Sequence, residues 1–345
     1  MGGLVRALLA LGEPLEIVAL GGPGGAHLPA GTSHVAEPGH LPTNLGWTLV
    51  GLPRAARRAR VDVIHAPAYT APFWSHVPAV LTIHDVSYER HPEWYPYRTD
   101  WMRRAFYRRS AHAAAHILTV SRFSASEIEA AYGIPLERIT VAPLGIDEEF
   151  TAPGDDGGGL PERVRKPFLL HVGDLHARRN LRLLVDAAIE AGRRLGEASK
   201  PAVVLVGVDR GVIADLLARA SAAGAEGLVV HLTGLSDTQL RALYRNASAF
   251  VYPSLYEGFG LPLLEAMAGG TPVIGSTAAS IPEVVGAAGV LVDPRDQGGW
   301  TDAIVQVLSD PALGRRLKAG GLERASQFTW ARTARLTLDV YRRVA

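Results

Sequence analysis

The chain has 345 residues, of which 48% are hydrophobic and 20% charged, with a formal net charge of +1 and no cysteine. Such a chain folds, and it exceeds the usual size of one hydrophobic core, so two domains are expected. The near-neutral balance argues against nucleic acid as a main partner. The lack of cysteine excludes a disulfide scaffold and thiolate chemistry, and fits a reducing compartment. No apolar run is long enough to span a bilayer. The start carries Arg6 where a myristoylation signal has Ser or Thr, and it lacks the long apolar core of a secretory signal. A cytoplasmic location is therefore expected.

In chain order, residues 2–10 carry a helical pattern, and β-like runs follow at 16–20, 61–65, 79–83, 116–120 and 139–141. Alanine- and arginine-rich helical stretches lie between them. The glycine-rich run 151–159 reads as a linker. The second half repeats the alternation, with strand-like runs at 167–172, 202–206, 228–232, 249–252, 272–274 and 289–292. Apolar strands alternating with helices predict parallel sheets covered on both faces. The expected fold class is α/β: two Rossmann-like domains, residues 1–150 and 160–326, facing across a cleft, with ligands at the carboxyl ends of strands. Residues 327–345 read as a terminal helix.

Two signals are discounted. Residues 21–25 form a glycine run, but it contains proline and no helix follows directly, so it is no nucleotide fingerprint. His112 and His116 read as sharing a helix face at metal-like spacing, but without an acidic third ligand, and no metal is expected. The run 94–109 interleaves Trp94, Tyr95, Tyr97, Trp101, Phe106 and Tyr107 with five arginines. That pattern suits anionic lipid headgroups, and equally a solvated helix with a packed aromatic face.

The most specific stretch is 252–275, which reads as strand, glycine loop, short helix, stop and strand. Pro262 suits a first helical turn, where its missing N–H is no loss. Gly269 and Gly270 suit the helix end. Gly258 and Gly260 are expected to leave amides uncovered beside the positive end of the helix dipole. Glu257 and Glu265 bracket that loop. Either carboxylate alone would serve as a dipole partner; together with the loop they suit a hydroxyl-rich, phosphate-bearing ligand such as a sugar nucleotide. Earlier, the run 173–181 follows a strand and opens a helix, placing Arg178 and Arg179 where two guanidiniums suit a diphosphate. Asn180 would cap or open that helix. Thr233 and Gly234 follow another strand and suit either a ligand contact or an ordinary turn capped by Ser236 or Asp237.

The 252–275 block resembles the E-x(7)-E signature of retaining GT-B glycosyltransferases, in particular glycosyltransferase family 4. The resemblance covers nearly the whole chain and implies transfer of a hexosyl group from a nucleotide sugar to an acceptor hydroxyl with retention. It implies that Glu257 and the loop Gly258, Phe259, Gly260 and Leu261 hold the donor sugar, and that Glu265 holds the ribose. Arg178 would grip the donor phosphates, with Arg179 standing where the family has Lys. Thr233 and Gly234 would lie beside the base. Thr-Ile-His84-Asp85 resembles the first-domain motif whose His sits at the reaction centre, so His84 is the implied catalytic residue and Asp85 its support.

Residues 87–96 look most like bacterial mannosyltransferase-type members, which favours GDP-mannose as donor and a glycan or lipid-linked acceptor. The family needs neither cofactor nor metal. Its terminal helix packs back on the first domain. Its members also begin with a strand and glycine turn not found here, so a first domain lacking that strand, through a late-assigned start, is expected. Peripheral contact with the inner face of the plasma membrane would follow from the 94–109 run. The rival reading is a non-catalytic or truncated sugar-nucleotide-binding protein of the same fold.

Overall fold

The computed structural model describes residues 1–21, 29–36, 44–95, 99–151 and 159–345. Residues 22–25 of the glycine run, 96–98 of the aromatic run and 152–158 of the expected linker lie outside the described residues. The chain divides into two compact units, Met1–Gly145 with Phe328–Ala345, and Ile146–Gln327.

The first unit opens with α1 (Gly2–Leu9), β1 (Val18–Gly21) and β2 (Ser33–Ala36). Helix α2 (Asn44–Gly46) continues through a π-helical segment, Trp47–Gly51, into α3 (Leu52–Ala59). Then come β3 (Ile64–Ala66), β4 (Ala79–Thr82), α4 (Ser87–Arg90) and α5 (Trp101–Ala113). Next are β5 (His116–Thr119), α6 (Arg122–Tyr132) and β6 (Ile139–Val141). The second unit holds α7 (Glu148–Thr151), β7 (Phe168–Val172), α8 (Leu181–Leu195), β8 (Ala202–Val206) and α9 (Ile213–Ala222). It continues with β9 (Val229–Leu232), α10 (Asp237–Asn246), β10 (Ala249–Tyr252), α11 (Leu261–Ala268) and β11 (Val273–Ser276). It ends with α12 (Ile281–Val285), β12 (Val290–Val292), α13 (Gln297–Ser309) and α14 (Pro311–Ser326). Helix α15 (Trp330–Val344) returns to the first unit.

Among the described residues every strand pair is parallel. The second unit has one six-stranded sheet in the order β12-β11-β10-β7-β8-β9. The order reverses between β7 and β10, and that switch point is where open α/β sheets bind ligands. Its core joins Leu169, Leu205 and Val251 of the sheet to Leu184 of α8 and Trp300 and Ile304 of α13. Each such fully buried aliphatic side chain is worth about 1.5–3 kcal/mol.

In the first unit the described strands form a four-stranded sheet, β3-β4-β5-β6, and a separate pair, β1-β2. The short strand β2 has no counterpart in the sequence reading, because Ser33 and His34 break the apolar run that marks the other strands. Helix α1 lays Leu4 and Leu8 on Ala334 and Leu338 of α15. Gly3 permits that approach: a Cβ there would lie 2.4 Å from the Trp330 indole. Gly145 is likewise required, since its Cβ would stand 2.2 Å from the Trp330 backbone nitrogen.

Candidate active site

The carboxyl ends of β7 and β10 build the site in the second unit. After β7 the chain turns through Gly173, whose φ of +136° suits glycine, and forms a 3-10 turn at Ala177–Arg179. Arg178 and Arg179 therefore sit in the turn before α8. Asn180 occupies the cap position with a left-handed backbone but makes no side-chain cap; its Nδ2 donates to the Pro294 carbonyl at 2.8 Å instead. Of the two expected roles, Asn180 therefore opens the helix as its N-cap residue but does not cap it through its side chain.

Arg179 is 7% exposed. Its Nη1 donates to the Tyr252 hydroxyl and to Glu257 Oε1, and its Nε donates to the Asp174 carbonyl at 3.3 Å. The guanidinium carbon also stands 5.2 Å from the Tyr252 ring centroid. Burial opposes this charge most strongly, yet Glu257 and Tyr252 together leave the Arg179 pKa above its ordinary value. Arg178 is partly exposed, and its Nη2 lies 4.0 Å from Glu257 Oε2. The structure thus gathers Arg178 and Arg179 around the buried Glu257 carboxylate.

The loop carrying Glu257 is fixed from β11 and α12. Ser276 Oγ donates to the Ser254 carbonyl at 2.7 Å. Ser280 Oγ reaches the carbonyls of Glu257, at 2.9 Å, and Phe259, at 3.0 Å. Gly258, Phe259 and Gly260 are buried. Gly260 has φ +99°, and a Cβ would press to 2.9 Å from Leu263 Cδ1. Leu261 then starts α11, with Pro262 in its first turn and Gly269 at its C-cap. Glu265 stands one turn further on, where Tyr244 donates its hydroxyl to Oε2 at 2.6 Å. Burial pushes the Glu265 pKa up, and the Tyr244 bond pulls against it.

Behind the loop, Tyr252 stacks on His171 of β7, with ring centroids 5.2 Å apart. His171 is fully buried, and its pKa falls to about 3, through burial first and then the charge of Arg179. Sequence reasoning missed Tyr252, His171, Tyr244 and Ser280. Tyr252 was visible only as the end of a strand, and the other three carry no local signal.

Thr233 and Gly234 are exposed at the end of β9. The turn after them is capped: Ser236 Oγ accepts from Gln239 N at 3.2 Å, and Gln239 Oε1 accepts from Ser236 N at 3.1 Å, a capping box.

In the first unit, His84 and Asp85 follow β4. The His84 pKa is lowered by burial, against the pull of Asp85. Asp85 Oδ1 accepts from the Ser87 backbone at 2.9 Å and from its hydroxyl at 2.6 Å, so it fixes the turn into α4. Tyr69 stands edge-on to His84 at 6.4 Å. His84 also lines a cavity of about 80 Å³ with Thr82, Leu118, Ala142 and Trp330. His112 and His116 do not share a helix. His112 lies in α5, whereas His116 is a buried residue of β5 bonded to Thr140 Oγ1 at 2.9 Å. The break comes at Ala114, whose extended backbone ends α5. Among the described residues no group of three or more His, Asp or Glu could hold a metal. On α5, Trp101 and Met102 are 67% and 65% exposed, and Arg109 packs over Phe73 and Trp74.

A sequence profile described as Glycosyltransferase Family 4 matches residues 2–150, and one described as Glycosyl transferases group 1 matches 166–310. The chain is 36% identical over 275 residues to the O-antigen chain mannosyltransferase B of Escherichia coli, covering 76% of this chain and 70% of that protein. It is 35% identical over 248 residues to the MMP alpha-(1->4)-mannosyltransferase of Mycolicibacterium hassiacum. That match covers 68% of this chain and only 55% of the relative. Among solved structures, a sucrose-phosphate synthase from Thermosynechococcus elongatus superposes with a TM-score of 0.75 at 23% identity, over 99% of this chain and 91% of that one.

Proposed function

Given that the chain belongs to glycosyltransferase family 4, a hexosyltransferase class with the GT-B fold, we propose that it moves a mannosyl group from GDP-mannose to an acceptor hydroxyl of a glycan or lipid-linked glycan, with retention. The observation that carries this reading is the Arg178, Arg179 and Glu257 cluster at the β7/β10 switch point. The mannosyl choice is supported by the names of the two bacterial relatives.

In this reading Arg178 and the N-terminus of α11 meet the donor diphosphate as charge develops on it, so electrostatics replace a metal. Glu257 accepts hydrogen bonds from the donor sugar, Glu265 from the ribose, and the Thr233–Gly234 turn lies beside the base. His84, supported by Asp85, is the proposed contribution of the first unit to the transfer step. The bond from the anomeric carbon to phosphate breaks, the bond to the acceptor oxygen forms on the same face, and the leaving phosphate takes the acceptor proton. No helix of the described residues is long and apolar enough to cross a membrane. The exposed Trp101 and Met102 beside the arginines of α5 support peripheral contact with anionic lipid at the cytoplasmic face.

Thermal unfolding against a panel of nucleotide sugars tests the reading. GDP-mannose at about a hundred times its Kd adds roughly 2.7 kcal/mol of stability by linkage. The anomer of the product, read by NMR, then tests retention. Stabilisation by a UDP-linked sugar alone overturns the donor assignment, and stabilisation without transfer to any acceptor favours a binding protein. Anionic vesicles at low salt should capture the protein; failure to bind them removes the membrane contact.

A further inference from the structure

The two adjacent arginines differ in their surroundings, and only one of them is placed to serve a ligand. Arg179 is enclosed. Its Nε and Nη1 hydrogens go to the Asp174 carbonyl, the Tyr252 hydroxyl and Glu257. Its Nη2 lies against Gly173, where even a Cβ would come within 3.0 Å. The guanidinium carbon stands 5.2 Å from the Tyr252 ring centroid.

That ring is itself held. It stacks on His171 at 5.2 Å and 21° and on Phe250 at 5.6 Å and 25°. Tyr252, Phe250 and His171 are all fully buried. His171 Nδ1 meets the Val251 carbonyl at 3.0 Å. A carbonyl only accepts, so Nδ1 carries a proton, and burial together with the Arg179 charge lowers the pKa far enough that Nε2 carries none at neutral pH. A neutral ring can lie in the same stack as Arg179 without repelling it.

We infer that Arg179 is a positioning residue for Glu257 rather than a donor-phosphate ligand, and that Tyr252, backed by His171, is the seat that aims it. Arg178, the partly exposed neighbour, is left as the arginine for the phosphates. A lysine would not reproduce this, since an ammonium lacks the planar fork that carries Nε to the Asp174 carbonyl while Nη1 serves Glu257 and the Tyr252 hydroxyl. Arginine at position 179 and tyrosine at 252 thus belong together.

This inference rests on the transfer reading for its kinetic arm, so the test has a second arm without ligand. Tyr252→Phe keeps the stack and removes the hydroxyl, and Arg179→Lys keeps the charge. Both should cut kcat with GDP-mannose by about tenfold or more while leaving GDP affinity by calorimetry within about threefold. Arg178→Gln should weaken GDP by about tenfold or more. Without ligand, urea unfolding of Tyr252→Phe, Glu257→Gln and the double variant should be non-additive by at least about fivefold in the unfolding equilibrium.

Arg179→Lys weakening GDP as much as Arg178→Gln overturns the inference, and so does an additive cycle. If the intact protein binds no nucleotide, the transfer reading falls and the unfolding cycle alone decides. Non-additivity then supports the seat and additivity removes it. Should Arg179→Lys fail to fold, Tyr252→Phe carries both arms, since it deletes a single oxygen.

Discussion

The two units bury polar groups in opposite ways. In the second, the interior beside the site is charged, and the charges cancel: Arg179 and Glu257 are 7% and 5% exposed and bonded to each other. Among the described residues of the first unit, the buried polar side chains are hydroxyls and histidine. His65 lies between the hydroxyls of Tyr341, at 2.6 Å, and Thr82, at 2.7 Å. Tyr88 and Tyr132 share a hydroxyl bond of 2.5 Å. A buried ion pair fixes a field where a ligand's charge will develop, at the cost of desolvating both partners. Neutral hydrogen bonds tie elements together without such a field. The difference teaches that the second unit is built around a charge and the first around contacts.

The sharpest way to break this comparison is to remove the carboxylate. Glu257→Ala leaves the Arg179 charge buried without its partner, which costs about 3–5 kcal/mol in comparable sites. Transfer should fall by roughly 10²–10³ for loss of a preorganised polar contact. Chemical unfolding and product formation, measured on the same preparation, check both. Near-normal turnover would remove Glu257 from the site. A loss below about 1 kcal/mol would show that the pair is solvated and that the second unit has no charged core.

Acid is the next probe, and it reaches a buried histidine in each unit. Burial lowers the His65 pKa to about 4 and that of His171 to about 3, from the ordinary 6.5. The unfolded chain therefore binds protons that the native state refuses. Each histidine contributes stability that is full above pH 6.5 and is lost as pH falls toward its folded value. The loss at pH 5 is about 2 kcal/mol for each group. Urea unfolding at pH 7.5 and pH 5 measures it. His171→Phe keeps a flat ring in the stack and should remove about 2 kcal/mol of the drop. An unchanged drop would mean that His171 titrates normally and that carboxylates account for the acid sensitivity.

The parts of this site that were legible were those written in consecutive residues. The glycine loop, Pro262 and the Glu257–Glu265 spacing announce a strand, a turn and a helix, and the adjacent Arg178 and Arg179 announce an anion. Local chemistry could not show that the arginines would part company. What encloses Arg179 is Tyr252, 73 residues away. What closes the loop is Ser280, which lies 23 residues after Glu257 and looks like any small polar residue. For the same reason nothing local shows that Gly258 and Gly260 are buried. The alternating fold was readable because buried parallel strands are nearly all apolar. His116 was misplaced because a four-residue spacing from His112 fits a helix as well as it fits a helix end and the next strand.

The smallest effect tests the neutral half of the comparison. Tyr341 joins α15 to β3 through His65 Nδ1, and Thr82 holds Nε2. A neutral imidazole has one N–H, so one ring nitrogen donates and the other accepts. Tyr341→Phe keeps the ring packed edge-on against His65, where the centroids stand 5.6 Å apart, and removes only the hydroxyl. It leaves a buried nitrogen without a partner, which costs about 1–3 kcal/mol, and the edge-on ring contact should keep it near the low end. With Nδ1 unpaired, His65 should still stay neutral above pH 5, because burial is the main cause of its lowered pKa. The unfolding curves of Tyr341→Phe and the parent should therefore run parallel between pH 7.5 and pH 5. A cost as large as that of Glu257→Ala would show that the first unit depends on one polar anchor as heavily as the second depends on its ion pair, and the contrast between the two would not stand.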